Sequence, residues 1–355
     1  MRTKGNDHKF VLFRVDGGGY GVAMGHVYRC LRLAKGLRDR QVDSMFCVRT
    51  NPTVMSLIES EGFHVVQLEE LPGFSMDMAD RVVCDLAEQV RGVLYVDLRG
   101  EKRGLVDMAR FRGLSIVVYD DIYEQGLLPR VLINPSECDR ANYAGSGVEY
   151  MLGSQHIILD PRLRRYRKHR FAASVREIFV CFGGADPCNV TVRAVRQILA
   201  SGYAGQISVA LGPGYQGVDE MRSLAGDAGN VDLHQGVNFL APLMNRADVA
   251  ITSGGTLMCE AISLALPALV LPTIGHEVAI AETYKAEGLV ASISCDVNTV
   301  GDEVLGLAIE RFIGSAVGRA ALHSAQMADD KFNGCETITG KLCQLIAQPF
   351  PRQSP

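Results

Sequence analysis

Three apolar runs in this chain end in a knot of glycines and small residues, and each knot runs straight into a helical pattern. Residues 9–15 overlap Arg14-Val-Asp16-Gly-Gly-Gly-Tyr-Gly-Val-Ala-Met-Gly25-His26. Residues 177–182 lead into Gly183-Gly184-Ala-Asp186-Pro-Cys-Asn189, and residues 248–251 into Thr252-Ser253-Gly254-Gly255-Thr256. A strand that turns at once into a helix is the unit of a parallel α/β sheet, because parallel neighbours are joined by crossover helices. Glycine at the turn lets backbone approach a ligand closely, and the helix that follows offers it free N–H groups.

The rest of the chain keeps the same rhythm. Strands are predicted over residues 9–15, 44–49, 64–68, 92–98, 114–119 and 131–134, with helices over 26–40 and 53–61. After a basic run, Pro161-Arg-Leu-Arg-Arg-Tyr-Arg-Lys-His-Arg170, the pattern starts again. Strands are predicted over 177–182, 206–211, 248–251 and 268–271, and helices over 190–200, 256–266, 276–287, 303–313 and 335–347. At roughly 150 residues per domain, 355 residues make two domains. The boundaries expected are a Rossmann-like domain over 1–160, a solvated linker over 161–176, a nucleotide-binding domain over 177–335, and a C-terminal helix and tail over 336–355. Two doubly wound halves of this kind, facing a central cleft, bind ligands where strand carboxyl ends meet helix amino ends.

Composition narrows the function classes. Lys and Arg number 36 against 40 Asp and Glu, a net charge of −4, which excludes a strong whole-chain basic field for nucleic acid. The longest apolar stretch, residues 261–272, is broken by Pro267 and falls short of the ~18 residues of a membrane span. The polar N-terminus does not read as a signal peptide. No two of the ten cysteines have C-x-x-C spacing, and most lie in apolar runs, as with Cys47, Cys181 and Cys259. Reduced structural thiols in a cytoplasmic protein are expected, with no metal site and no cofactor. Oligomeric state is not encoded in any feature of this kind.

Each knot carries candidate residues. The first is neither a Walker loop nor a G-x-G-x-x-G turn, because no Lys-Ser or Lys-Thr follows and Val22 and Met24 replace the third glycine. It does place His26 in the first turn of a helix, where the positive end of the helix dipole favours a neutral imidazole able to accept a proton. In the second, Asn189 opens a helix behind paired glycines, either as a cap or beside a phosphate or sugar hydroxyl. The third combines Ser253 and Thr256 hydroxyls with Gly254 and Gly255. Glu260 follows one turn on, spaced to accept from a ribose diol.

These motifs together carry a resemblance. Arg14-Val-Asp16 with Gly25-His26-Val-Tyr-Arg29-Cys30-Leu31-x-Leu33-Ala34 resembles the first motif of the UDP-2,4-diacetamido-2,4,6-trideoxy-β-L-altropyranose hydrolases of pseudaminic acid synthesis, and of their relatives in spore-coat polysaccharide synthesis. Val180-Cys-Phe182-Gly183-Gly184-Ala-Asp186-Pro-x-Asn189-x-Thr191 is similar to the second. Ala247-Asp248-x-Ala-Ile251, Gly254-Gly255-Thr256, Glu260 and Leu266-Pro267 resemble the third, which also suits the GlcNAc transferase of peptidoglycan synthesis. The matches run collinearly over residues 10–290.

The resemblance implies a GT-B-like α/β fold and metal-independent cleavage of a UDP-sugar. His26 would be the base on water, with Asp16 orienting its ring. Arg14, Gly25, Gly183, Gly184, Asn189, Ser253, Gly254, Gly255 and Thr256 would bind substrate and diphosphate, and Glu260 the ribose. His276 and Glu277 stand where that family carries Asn-Gln after the Leu-Pro strand, and are assigned to the substrate. The first reading is a hydrolase releasing a free acetamido-deoxy sugar in surface polysaccharide synthesis. A GT-B glycosyltransferase using the same donor site is the alternative, and a catalytically silent nucleotide-sugar-binding protein is the third.

Overall fold

The computed structural model describes residues 9–17, 24–49, 51–68, 76–120, 124–136, 143 and 145–348. The chain forms two compact units, one of residues 1–160 with 332–355 and the other of residues 161–331.

The first unit is built on seven parallel strands: β1 (Phe10–Val15), β2 (Asp43–Arg49), β3 (His64–Leu68), β4 (Val93–Asp97), β5 (Ser115–Tyr119), β6 (Val131–Asn134) and β7 (Glu149–Leu152). Their spatial order is β3-β2-β1-β4-β5-β6-β7, so the order reverses between β1 and β4. Side chains alternate across a strand, and here the alternation sorts the core into two layers. Val11, Phe13, Val15, Val93, Tyr95, Val117 and Tyr119 face α1 (Gly25–Arg38) and the C-terminal helix α12 (Gly334–Ala347). Leu12, Leu94, Val96, Ile116 and Val118 face α3 (Met76–Val90) and α4 (Arg103–Phe111). A shorter helix, α2 (Pro52–Ser60), joins β2 to β3.

α12 is therefore part of the first unit's core rather than an appendage. Ile338, Leu342 and Leu345 are buried with Val27, Leu31 and Leu37 of α1. Gly334 opens α12 so close to the carbonyls of His156 and Ile157 that a Cβ there would lie 2.4 Å from the Ile157 oxygen. Only glycine fits.

The second unit has six parallel strands: β8 (Glu177–Cys181), β9 (Gln206–Leu211), β10 (Val231–Gln235), β11 (Val249–Thr252), β12 (Ala268–Val270) and β13 (Ala291–Ser292). Their order is β10-β9-β8-β11-β12-β13, again reversing beside its first strand. Seven helices connect and cover it: α5 (Val190–Ala200), α6 (Val218–Ala228), α7 (Ala241–Arg246), α8 (Thr256–Ser263), α9 (Gly275–Ala286), α10 (Asp302–Gly314) and α11 (Ala316–Ala328).

The basic run expected as a solvated linker groups with this second unit; most of its residues are exposed, and a few of them anchor it. Leu163 is buried, and the Arg162 guanidinium stacks 4.1 Å from the Phe239 ring centre. Arg167 donates to the carbonyls of Gln326, Met327 and Asp329 past the end of α11, at 2.8, 3.0 and 2.9 Å. Cations are favourable at a helix carboxyl end, where carbonyls lack partners, and this accounts for Arg167. The nine described cysteines are free thiols. Among the described residues no helix is long and apolar enough to cross a membrane.

Replacing the fully buried Leu342 by Ala removes part of the α1–α12 contact and is expected to cost roughly 2–5 kcal/mol. Calorimetry should show a lowered melting transition. Exchange of the exposed Val317 for Ser serves as the control and should leave the melt within about 0.5 kcal/mol.

Candidate functional site

The first unit brings a histidine, two charged groups and an aromatic ring together at the strand carboxyl ends. Val15, the last residue of β1, pairs with Asp97, the last residue of β4. Strand parity turns Asp97 toward α1, like Tyr95 two residues before it. His26, one residue into α1, lies there with Nδ1 2.7 Å from Asp97 Oδ1. Arg29, one turn further along α1, donates Nε to Asp97 Oδ2 at 2.5 Å and Nη2 to Oδ1 at 2.6 Å. Its guanidinium carbon sits 4.3 Å from the centre of the Tyr119 ring, at the end of β5. This is the reversal point of the strand order, where open α/β sheets bind ligands.

Asp97 has no exposed surface. Burial alone would push its carboxyl up, but the charge and hydrogen bonds of Arg29, joined by His26, hold it down to about 2. A fixed carboxylate at Nδ1 draws the ring proton to that nitrogen and leaves the Nε2 lone pair free to accept another. The arrangement can take a proton from a hydroxyl or a water. Cys30 completes the ring of contacts, its thiol 3.7 Å from Asp97 Oδ2 and pushed far up by burial.

Asp16, expected beside His26, is occupied elsewhere. Arg14 donates two hydrogen bonds to its carboxylate, at 2.6 and 2.9 Å, and Arg49 donates its backbone N–H and Nε, each at 2.9 Å. Burial raises the Asp16 carboxyl, and Arg14 and Arg49 outweigh it, leaving it below its ordinary value. The cause is again parity. Arg14 is an even-numbered residue of β1 and belongs to the layer away from α1, between Val15 and the Cys47 carbonyl. Arg14 is also fully buried, so the residue assigned to substrate serves to tie Asp16 to β1 and β2. Gly25 begins α1, exposed, with open space above its Cα. The glycines at 18, 19 and 21 lie outside the described residues.

In the second unit, the two glycine knots differ in one decisive respect. Asp186 caps α5: its carboxylate accepts from the N–H groups of Val190 and Thr191 at 2.9 and 2.8 Å, and from the Thr191 hydroxyl at 2.6 Å. Asn189, in the left-handed region with φ +52°, turns its side chain to Tyr215 and Glu220. The expectation of a phosphate on these N–H groups through Asn189 is corrected accordingly, because a carboxylate already holds them. Gly183 and Gly184 remain open on one side and pack their carbonyls against Gly212, where a Cβ would lie 2.4 Å away.

The third knot is open. The N-cap position of α8 is Gly255, which has no side chain to cap the helix, and Glu277 Oε1 lies beside it, 3.4 Å from where a Gly255 Cβ would be. Ser253 is buried and Thr256 exposed at the helix start, and Glu260 is buried one turn on. The knot lies at the end of β11, joined to β8 by a hydrogen bond of 2.8 Å from the Thr252 hydroxyl to the Cys181 carbonyl. Glu277 lies against it: a Cβ on Gly254 would be 2.8 Å from the Glu277 Cβ. The Glu277 Oε2 is held by the Thr273 N–H and hydroxyl, at 2.8 and 3.0 Å. His276, its neighbour, is exposed at the head of α9. The residues predicted at this knot are thus gathered around the amino end of α8, a kind of place that suits an anion.

The Asp97 cluster makes an acid-stability prediction. A carboxylate held below its unfolded value contributes stability above about pH 3.9, lost as pH falls toward its folded value of about 2. Asp97→Asn leaves the partly buried Arg29 without its buried counter-charge and is expected to cost about 3–5 kcal/mol at pH 7. Its melting temperature should fall less steeply than that of the wild type between about pH 4 and pH 2. Equal slopes would show that Asp97 does not titrate there.

No known protein-family profile matches the chain. An uncharacterised protein of Methanocaldococcus jannaschii is 26% identical over 275 residues, which is 72% of this chain, and the matched region spans about half of that relative, 54% of its length. The spore coat polysaccharide biosynthesis protein SpsG of Bacillus subtilis is 25% identical over 340 residues, 93% of this chain and 97% of SpsG. Among solved structures, MurG of Acinetobacter baumannii matches with a TM-score of 0.66 at 14% identity, covering 95% of this chain and 99% of MurG. Anabaena HepE, solved with UDP and glucose, matches with a TM-score of 0.61 at 14% identity, covering 96% and 100%. The fold is that of GT-B glycosyltransferases: two Rossmann-like α/β domains, each on a parallel sheet.

Proposed function

We propose that the chain is an enzyme that transfers a sugar from a nucleoside diphosphate to a hydroxyl group, with His26 as the general base. The observation that carries this reading is the His26–Asp97 pair at the reversal point of the first sheet, with its Nδ1–Oδ1 distance of 2.7 Å. Nε2 takes the proton of the nucleophile as it attacks the anomeric carbon, and the nucleoside diphosphate leaves with the bonding pair. The open head of α8, with Ser253, Gly254, Gly255 and Thr256, binds the diphosphate, and Glu260 accepts from the ribose hydroxyls. Likeness to SpsG supports a role in surface polysaccharide synthesis, and the fold shared with MurG and HepE supports a nucleotide-sugar donor. A UDP-sugar is the donor proposed.

Water in place of the acceptor hydroxyl is the second reading. It is favoured by the Arg14-Val-Asp16 and Gly25-His26 motif, which resembles that of the pseudaminic-pathway hydrolases. The relatives and neighbours found fit the transferase better than the hydrolase. Incubation with UDP-sugars, read by mass spectrometry with and without polysaccharide acceptors, separates the two. Transfer predicts UDP release that depends on an acceptor; free sugar without one would make the enzyme a hydrolase.

Two variants test the roles. His26→Ala is expected to lower kcat by roughly 10²–10⁴-fold, the range of a general base, with UDP affinity and melting temperature near wild type. Loss of melting temperature with turnover retained per folded molecule would make His26 a structural residue. Glu260→Ala is expected to raise KM with kcat nearly unchanged and to weaken UDP binding by about 1.5–3 kcal/mol in calorimetry. Unchanged UDP affinity would remove the ribose role.

A further inference from the structure

We infer that Arg29, seated on the Tyr119 ring, is the positioning residue of this site, clamping the Asp97 carboxylate so that one oxygen is aimed at His26 Nδ1. The inference rests on the reading of His26 as the base. A carboxylate joined to its histidine by one hydrogen bond is free to rotate about its own axis and carry that bond away. Here the guanidinium fork removes the freedom: Nε binds Oδ2 at 2.5 Å and Nη2 binds Oδ1 at 2.6 Å, a bidentate pair on a group with no exposed surface. Oδ1 keeps one direction for a further donor, and His26 Nδ1 lies along it at 2.7 Å. Tyr119 fixes the fork in turn, its ring centre 4.3 Å from the guanidinium carbon. The spacing on α1 makes the clamp possible, since His26 and Arg29 are three residues apart and share one face of the helix.

The same geometry contains the alternative that makes the inference testable. Arg29 Nη2 is also 2.8 Å from His26 Nδ1. One nitrogen cannot both accept from Arg29 and donate to Asp97. If Nδ1 donates to Asp97, Nε2 is the free lone pair and the ring is a base. If Nδ1 accepts from Arg29, the proton sits on Nε2 and the ring is a donor. The clamp selects the first, because the carboxylate it holds at Nδ1 attracts the ring proton to that nitrogen. Among the described residues, the charged and titratable groups of this cluster are Asp97 and Tyr95 from β4, Arg29 and Cys30 from α1, and Tyr119 from β5.

The experiment uses the full chain labelled with ¹⁵N-histidine, with the His26 signals assigned by their absence in His26→Ala. Wild type should show Nδ1 protonated and Nε2 bare. Arg29→Met should populate both tautomers and lower kcat roughly 10–100-fold, with KM for the nucleotide-sugar changed less than about twofold. Arg29→Lys, which restores the charge but not the fork, should recover only part of kcat. It gives the same two readouts if Arg29→Met does not fold. A wild-type ring protonated on Nε2, or an Arg29 variant with unchanged tautomer, would overturn the inference whatever its kcat. Full turnover in His26→Ala would overturn the base itself, and the tautomer measurement would still decide the role of Arg29.

Discussion

A carboxylate with no access to water governs the first unit. Asp97 is ionised inside the protein only because Arg29 is beside it, and Arg29 is ordered there only because α1 begins where it does. Taking a carboxylate out of water costs several kcal/mol unless charge and hydrogen bonds replace its hydration. At Asp97 they come from Arg29, from His26 and more weakly from the Cys30 thiol. The strand ladder sets where all this happens. Asp97 pairs with Val15 and Tyr95 with Phe13, so the carboxylate stands above a floor of Tyr95 and Phe13, on the face that α1 covers. The geometry of the proposed catalytic cluster is a consequence of sheet register.

The second unit shows how two similar loops acquire different uses. Both glycine knots follow a central strand and start a helix. At α5 the chain supplies its own anion, Asp186, and closes the helix end with three hydrogen bonds. At α8 the N-cap position is Gly255, which has no side chain, and the position corresponding to Asp186 is Thr252, whose hydroxyl donates to the Cys181 carbonyl instead. The two turns therefore differ in the carboxylate that α5 carries four residues before the helix, and the proposed diphosphate site at α8 rests on that difference. Glu277 keeps the open knot in shape, pressing on Gly254 through its Cβ while Thr273 holds its carboxylate.

Much of this was legible in the chain, and two of the failures have a common origin. The parallel α/β class, the knots at strand ends and the place of His26 follow from apolar runs and glycine clusters, which are local features. Asp16 was the natural partner for His26 by proximity in sequence, yet it lies on the opposite layer. Period-two alternation along residues 10–15 shows Arg14 out of phase with Val11, Phe13 and Val15, so that signal was present. Asp97 is also readable as an acidic residue closing an apolar strand, but its pairing with His26, 71 positions away, depends on which strands are neighbours. Within the basic run at 161–170, the anchoring role of Arg167 was not readable because its carbonyl partners lie some 160 residues further on. α3 and α4 escaped the reading because their apolar faces are short and interrupted by charge. For Asp97 and Arg167 what was missing was a long-range contact.

A double-mutant cycle on turnover tests the central claim most directly, that His26 and Asp97 act as one unit. If the carboxylate works only through the imidazole, His26→Ala and Asp97→Asn combined will have the kcat of His26→Ala alone, because the second change has nothing left to act on. Fold losses that multiply in the double variant would mean that the two residues contribute separately, and would contradict the account.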